Sequence, residues 1–374
     1  VFFVGILVLW SAAHAYVAWH LSGAWPLCGR VRRRWVALGA LLLWASLPLA
    51  RLASLGGVVE WFGMHWLGVM ILLSVGLAAH DGLLILGLPL LRRRLPGLLP
   101  RTRAVALAAG LLLAGLALAQ GLRAPSVSEH EVRLAGLRPG SDGLRLVALS
   151  DLHLGRLIGP AWLEARLAQV RALAPDLVVL LGDLVDGHGE DPEALLGGLR
   201  NLRPPLGVWA VLGNHDGHGD EDGVVRALEG AGVRVLRDGW AEPAPGLLVA
   251  GLDDPGRMTA RLEPARLARA LAGRPPGAAT VLLSHRPLGE EQAAAAGVGL
   301  MLAGHTHGGQ IWPVGHLTAL SYPRLAGRFE VGGLTLLVTR GAGTWGPRMR
   351  LWLPGEILLV VLRSGAPAPA RPQA

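Results

Sequence analysis

Apolar residues fall in two regimes along this chain. Up to about residue 122 they come in long, nearly uninterrupted segments, at 1–21, 35–50, 61–91 and 104–122. A helix needs about 20 apolar residues to cross a bilayer, so the pattern predicts four membrane-spanning helices, the second short and the third long enough to tilt. Beyond residue 124 the apolar runs shrink to strand length. Runs at 144–150, 176–181, 208–212, 280–284 and 298–303 each stop abruptly at Gly, Ser, Asp, Asn or His. Between them, helical spacing appears at 160–174, where Trp162, Leu163, Leu167, Val170 and Leu173 share a face and Pro175 ends the run. Further helices are expected at 192–201, 221–231, 263–272 and 287–296, and strands at 129–134, 245–252, 333–339 and 357–362. Strands alternating with helices predict an α/β domain over 124–363, after a four-helix region at 1–123. The Pro- and Ala-rich 364–374 reads as a disordered tail.

Charge sharpens the division. The chain has 35 basic residues, all Arg, against 27 acidic ones. Residues 1–123 carry a net charge of +9 and the remainder −1. The second half thus lacks a net positive field for nucleic acid, which is not expected as a partner. In the first half, Arg30, Arg32, Arg33 and Arg34 follow the first apolar segment, and Arg92, Arg93, Arg94, Arg101 and Arg103 follow the third. The positive-inside rule places these loops in the cytoplasm. The expected arrangement is therefore a multi-pass protein of the inner (plasma) membrane, with residues 1–21 an uncleaved span and the α/β domain on the periplasmic or extracellular face. His80 and Asp81 interrupt the third segment and read as a polar pair packed between helices or hydrated near its cytoplasmic end. The single Cys28 excludes an intramolecular disulfide framework and a thiolate zinc cluster.

The chemistry lies where the short runs end. These stops are Asp151-Leu152-His153, Gly182-Asp183, Gly213-Asn214-His215-Asp216, Ser284-His285 and Gly304-His305-Thr306-His307. Residues i and i+2 of extended backbone point to the same side, so paired ligands such as His305 and His307 can reach one small volume. Oxygen and nitrogen donors without sulfur suit Mn, Zn, Fe or Mg.

In this order the motifs resemble the calcineurin-like metallophosphoesterase superfamily, over about 135–363. The stretch Gly304 to Pro313, with Arg340-Gly341-Ala342-Gly343-Thr344 and Pro354-Gly355-Glu356-Ile357, resembles its bacterial membrane-associated branch, which includes phosphodiesterases and, more distantly, a lipid A precursor pyrophosphatase. The resemblance implies two stacked mixed sheets flanked by helices. It implies two divalent metal ions, one on Asp151, His153, Asp183 and His307, the other on Asp183, Asn214, His285 and His305, with Asp183 bridging. It implies hydrolysis of phosphodiester or phosphomonoester bonds by a metal-bridging hydroxide. His215 is then the non-ligand histidine that contacts the phosphate and protonates the leaving oxygen, with Asp216 orienting its ring. A membrane tether makes a lipid-linked phosphate an attractive substrate. The alternatives are a nucleotide phosphodiesterase whose helices serve only as a tether, and a non-catalytic membrane scaffold. Asp186, His188, His218 and Asp220 read as a hydrated loop. Gln310 and the segment 312–328 are expected on the substrate side; Trp312, Tyr322, Trp345 and Trp352 read as an apolar rim or equally as core, and Arg348 and Arg350 as candidate phosphate partners.

Overall fold

The computed structural model describes residues 2–24, 30–52, 57–91, 95–187, 190–254, 256 and 262–365. Cys28, His188 and nearly all of the expected tail lie outside them. The chain forms two units, one of residues 1–122 with 346–352, the other of residues 123–345 with 353–374.

The first unit holds four helices, α1 (Phe2–Ala24), α2 (Arg30–Leu52), α3 (Val58–Leu91) and α4 (Leu95–Gly121). Trp10, Val17, Met70, Leu73, Leu77 and Leu107 form its apolar core. Among the described residues, Val58–Gly87 and Gly97–Gly121 are long and apolar enough to cross a membrane, while α2 offers only the shorter Arg34–Leu49. Helix α1 places polar rings inward: His14 and His20 are buried, and the Trp66 Nε1 donates to His14 Nε2 at 2.9 Å.

The second unit contains two six-stranded mixed sheets. The first has the order β1 (Ser126–Leu134), β12 (Glu356–Ser364), β2 (Leu144–Leu149), β3 (Leu177–Leu181), β4 (Val208–Val211) and β5 (Val233–Val235). From β2 to β5 it is parallel, and β12 runs antiparallel to β2. The second has the order β10 (Gly327–Val331), β11 (Leu334–Val338), β9 (Leu300–Ala303), β8 (Ala279–Leu283), β7 (Leu247–Gly251) and β6 (Gly239–Ala244). Its four central strands are parallel and its two edge strands antiparallel.

Side-chain alternation builds the layers. Leu146, Ala148, Val179 and Val211 meet Leu247, Val249, Val281, Leu300 and Leu302 in the core between the sheets. The opposite face of the first sheet (Val147, Leu149, Val178, Leu180) packs on Leu163, Leu167 and Val170 of α5 (Pro160–Ala172) and Val224 and Leu228 of α7 (Glu221–Gly230). The outer face of the second sheet packs on Leu267 of α8 (Pro264–Ala270) and Ala293 of α9 (Glu290–Ala295). A short α6 (Pro192–Leu196) completes the first face. Strands β5, β6 and β10 and helix α10 (Val314–Ser321) were not expected from the pattern.

The parallel strands bring their C-terminal ends together, and close backbone approach there depends on glycine. Gly182 has φ +85°, and a Cβ on it would lie 2.5 Å from the Gly213 nitrogen. Gly182→Ala should therefore destabilise the protein by roughly 1–3 kcal/mol, read as a lower thermal midpoint. Gly140→Ala, with open space around it, should stay within about 0.5 kcal/mol of the parent.

Candidate metal centre

All the strand-end motifs open from the C-terminal ends of β2, β3, β4, β8 and β9, the edge where open α/β sheets carry their ligands. Asp151, His153, Asp183, His285 and His307 are buried. Five side chains with donor atoms sit on left-handed backbone: φ is +54° at Asp151, +48° at His153, +52° at Asp183, +71° at His305 and +51° at His307. Residues with a Cβ rarely adopt this conformation, and it concentrates where the surroundings force a side chain into one direction. Here the turns that follow the strands hold these donor-bearing side chains close together.

Two clusters result. Asp151, His153 and His307 bring donor atoms within 4.8 Å of one another, and so do Asp183, His285 and His305. In the first cluster His153 Nε2 lies 3.1 Å from His307 Nε2, and His307 Nε2 lies 3.5 Å from Asp151 Oδ1. In the second, His285 Nε2 lies 3.2 Å from Asp183 Oδ2 and 3.1 Å from His305 Nδ1. Asp183 Oδ2 is also 3.7 Å from His153 Nε2, so one carboxylate touches both clusters. Asn214 Oδ1 is buried without a hydrogen-bond partner. An orphaned carbonyl oxygen beside six imidazole and carboxylate groups, with nitrogen facing nitrogen at 3.1 Å, is the arrangement of a site shaped for cations, and the donor set fits divalent metals.

Backbone amides hold the carboxylates. The His305 N–H donates to Asp151 Oδ1 at 3.0 Å and the His215 N–H to Asp183 Oδ1 at 2.8 Å. The ring nitrogens are anchored from behind: His285 Nδ1 donates to the Leu181 carbonyl at 2.9 Å, and His153 Nδ1 pairs with Asp186 Oδ1 at 2.7 Å. Gly213 leaves room, since a Cβ there would lie 2.2 Å from Asp183 Oδ1.

Two details differ from expectation. Asp216 does not orient the His215 ring. Its Oδ1 accepts from the Leu184 and Val185 amides and its Oδ2 from the Gly213 amide, so the carboxylate ties the β3 and β4 loops together. The carboxylate facing His215 Nδ1 is Asp186, at 3.9 Å. Asp186 therefore belongs to the site rather than to a hydrated loop, and its position three residues after Asp183 was the available signal. Arg348 and Arg350 fall in the segment that groups with the helices, where Arg350 is buried. Gln310 pairs with the Trp345 backbone at 3.0 and 2.9 Å. The Trp345 ring lies 6.1 Å from His215, and the Tyr322 ring 5.0 Å from His305.

The protonation pattern follows from these neighbours. Burial opposes charge on His285, but Asp183, Asp151 and Asp254 outweigh it and raise its pKa to about 10. Burial likewise opposes charge on His153, yet Asp186, Asp183 and Asp151 raise it to about 9. Burial lowers His215 to about 4. Burial, reinforced by Asp183, raises Asp216 to about 7 despite its amide donors.

A ligating imidazole must present a lone pair, so metal loading displaces protons. At pH 7 the metal-free protein holds protons on His153 and His285, both below their raised pKa values. Loading should release about two protons, and affinity should fall as pH falls. Calorimetry in buffers of different ionisation enthalpy counts them, and a count near zero would contradict the assignment. Asp186→Ala should weaken metal binding by about 10–100-fold, as expected for loss of a carboxylate behind a ligating histidine; equilibrium dialysis with metal analysis reads this directly.

Comparison with known proteins agrees with this geometry. The family model for calcineurin-like phosphoesterases matches residues 144–309. A zebrafish protein named as a transmembrane protein with a metallophosphoesterase domain is 32% identical over 278 residues, covering 70% of this chain and 63% of its own length. The chain thus spans less than two thirds of that relative. An uncharacterised metallophosphoesterase of Aquifex aeolicus is 33% identical over 245 residues, covering 63% of this chain and 91% of the relative. One from Bacillus subtilis is 30% identical over 276 residues, covering 69% and 94%. Strand-end Asp and His residues in paired clusters agree with what the family model and these relatives show: the chain belongs to the calcineurin-like metallophosphoesterases.

Proposed function

We propose that the protein is a membrane-anchored, metal-dependent phosphoesterase. The observation that carries this reading is the sharing of Asp183 between two buried His/Asp clusters. Asp151, His153, Asp183 and His307 would hold one divalent metal, and Asp183, Asn214, His285 and His305 the other. Bound divalent metals supply Lewis-acid stabilisation of phosphoryl charge and lower the pKa of water. His215 stands beside the clusters, its ring centroid 4.9 Å from that of His153. We assign it to phosphate contact and to protonation of the leaving oxygen. An arriving phosphate anion favours the imidazolium, so substrate binding itself readies the acid, and Asp186 faces the ring nitrogen that does not reach the substrate.

Beside Asn214 opens a cavity of about 520 Å³ lined by His218, Glu221, Arg237, Asp253 and Arg266 among others. Its polar wall suits a phosphodiester with a hydroxyl- or amine-bearing group, such as a lipid headgroup. Two apolar helices of spanning length and relatives named as transmembrane proteins support attachment to a membrane. The four apolar segments and the Arg-rich loops at 30–34 and 92–103 support a four-span anchor with the catalytic unit on the outer face. The same polar cavity favours nucleotides as the second reading, with the helices a tether only.

The test is hydrolysis by the full-length protein in detergent with Mn²⁺, offered chromogenic mono- and diesters, nucleotides and phospholipids. Asp183→Asn should abolish turnover of all of them. His215→Ala should retain metal and lose about 10²–10⁴-fold in turnover. Metal loss in His215→Ala would overturn its assignment, and equal or better turnover of soluble diesters than of lipids would move the nucleotide reading ahead.

A further inference from the structure

The helical unit contains a second kind of polar cluster. His20 of α1 and His80 and Asp81 of α3 bring a donor atom each to within 4.8 Å of one another. His20 is fully buried, and Asp81 retains about a third of its side-chain exposure. His20 Nε2 lies 3.1 Å from Asp81 Oδ2, and His80 Nδ1 lies 3.0 Å from Asp81 Oδ1. The Tyr16 hydroxyl donates to Asp81 Oδ2 at 2.8 Å. The other face of His80 is held by Thr102 of α4, with Nε2 3.0 Å from Oγ1.

Thr102 lets His80 turn a lone pair toward Asp81. Its Oγ1 lies 3.2 Å from both the Leu98 and the Leu99 carbonyl, and a hydroxyl bonded back to its own helix accepts from His80 Nε2 at 3.0 Å. In that arrangement the neutral ring presents its Nδ1 lone pair to Asp81 Oδ1 at 3.0 Å, and a cation between the two satisfies both.

The surroundings favour the cation. His20 supplies a second imidazole nitrogen to the same carboxylate, and two histidines with one carboxylate are a common zinc or iron set. The separations match those of the catalytic clusters, where donor atoms stand 3.1–3.7 Å apart. Tetrahedral ligands around zinc at about 2.0–2.1 Å would stand roughly 3.3 Å apart. Tyr16 and Thr102 provide the outer hydrogen bonds that orient metal ligands, and the exposed edge of Asp81 gives an entry path.

We propose that His20, His80 and Asp81 form a divalent transition-metal site that cross-links α1 and α3, separate from the catalytic clusters. The inference does not depend on the phosphoesterase reading. The full-length protein in detergent would be dialysed against Zn²⁺ and its metal content counted by mass spectrometry. His20→Gln and Asp81→Asn should each bind one equivalent fewer than the parent while retaining diester hydrolysis. The Asp183→Asn protein should still bind Co²⁺ with visible absorption, and adding Asp81→Asn should remove that band. Equal metal content in parent and variants, or an Asp183→Asn chain without the band, overturns the proposal and leaves a hydrogen-bonded His80–Asp81 pair. Asp81→Asn preserves shape and hydrogen-bonding capacity, so it replaces His20→Gln if that variant does not fold. Loss of diester hydrolysis in the parent with the extra equivalent present would count against the catalytic reading alone.

Discussion

The architecture of the α/β unit turns on two buried carboxylates that cannot escape each other. Asp151 and Asp183 follow neighbouring parallel strands, and both are buried among the same histidines. Asp183 depends on His285 and His153 to remain ionised, whereas burial pushes the Asp151 carboxyl upward. Burying like charges together is costly unless opposite charge and hydrogen bonds accompany them. The rest of the edge meets that demand. Amides of His305 and His215 cap the oxygens, and His153 and His285 hold protons well above the usual imidazole range. Glycine at 213 and 304 lets neighbouring backbone come close enough to help.

The same demand explains the backbone. Five donor-bearing residues adopt left-handed φ because a strand that simply continued would carry its next side chain away from the shared volume. Strain of this kind persists only where surroundings over-determine it. Here the over-determination comes from a packed double sheet whose central strands are almost wholly buried. Rigidity of the sheets and distortion of the turns are two sides of one solution.

Much of this was legible in the sequence because it rests on contrast. Apolar strands buried on both faces read as continuous runs, and the Asp, Asn and His residues immediately after them stand out. What escaped notice lacked contrast. β5 is three residues long, with Arg234 exposed. β6 carries Glu242 and Pro243 within an irregular edge pairing. β10 begins with exposed Gly327 and Arg328, and α10 has no buried residue to set a period. Asp186 and Asp216 depart from their expected roles for a tertiary reason. Adjacency to His215 suggested Asp216, but the turn after β4 directs that carboxylate into the β3 loop, while the β3 loop delivers Asp186 to the imidazoles. The helical segments were visible by hydropathy, whereas the convergence of His20, His80 and Asp81 depends on how α1 packs beside α3.

The strand order of the first sheet has a consequence for biosynthesis. β12 lies between β1 and β2, and β1 pairs along its whole length with β12. The strand made first in this unit therefore has no neighbour until 356–364 have been synthesised. Until then β2, the strand that leads to Asp151 and His153, is an open edge. The nascent unit carries that edge unpaired, and the turns that follow β2 gain their neighbour on that side only when β12 arrives.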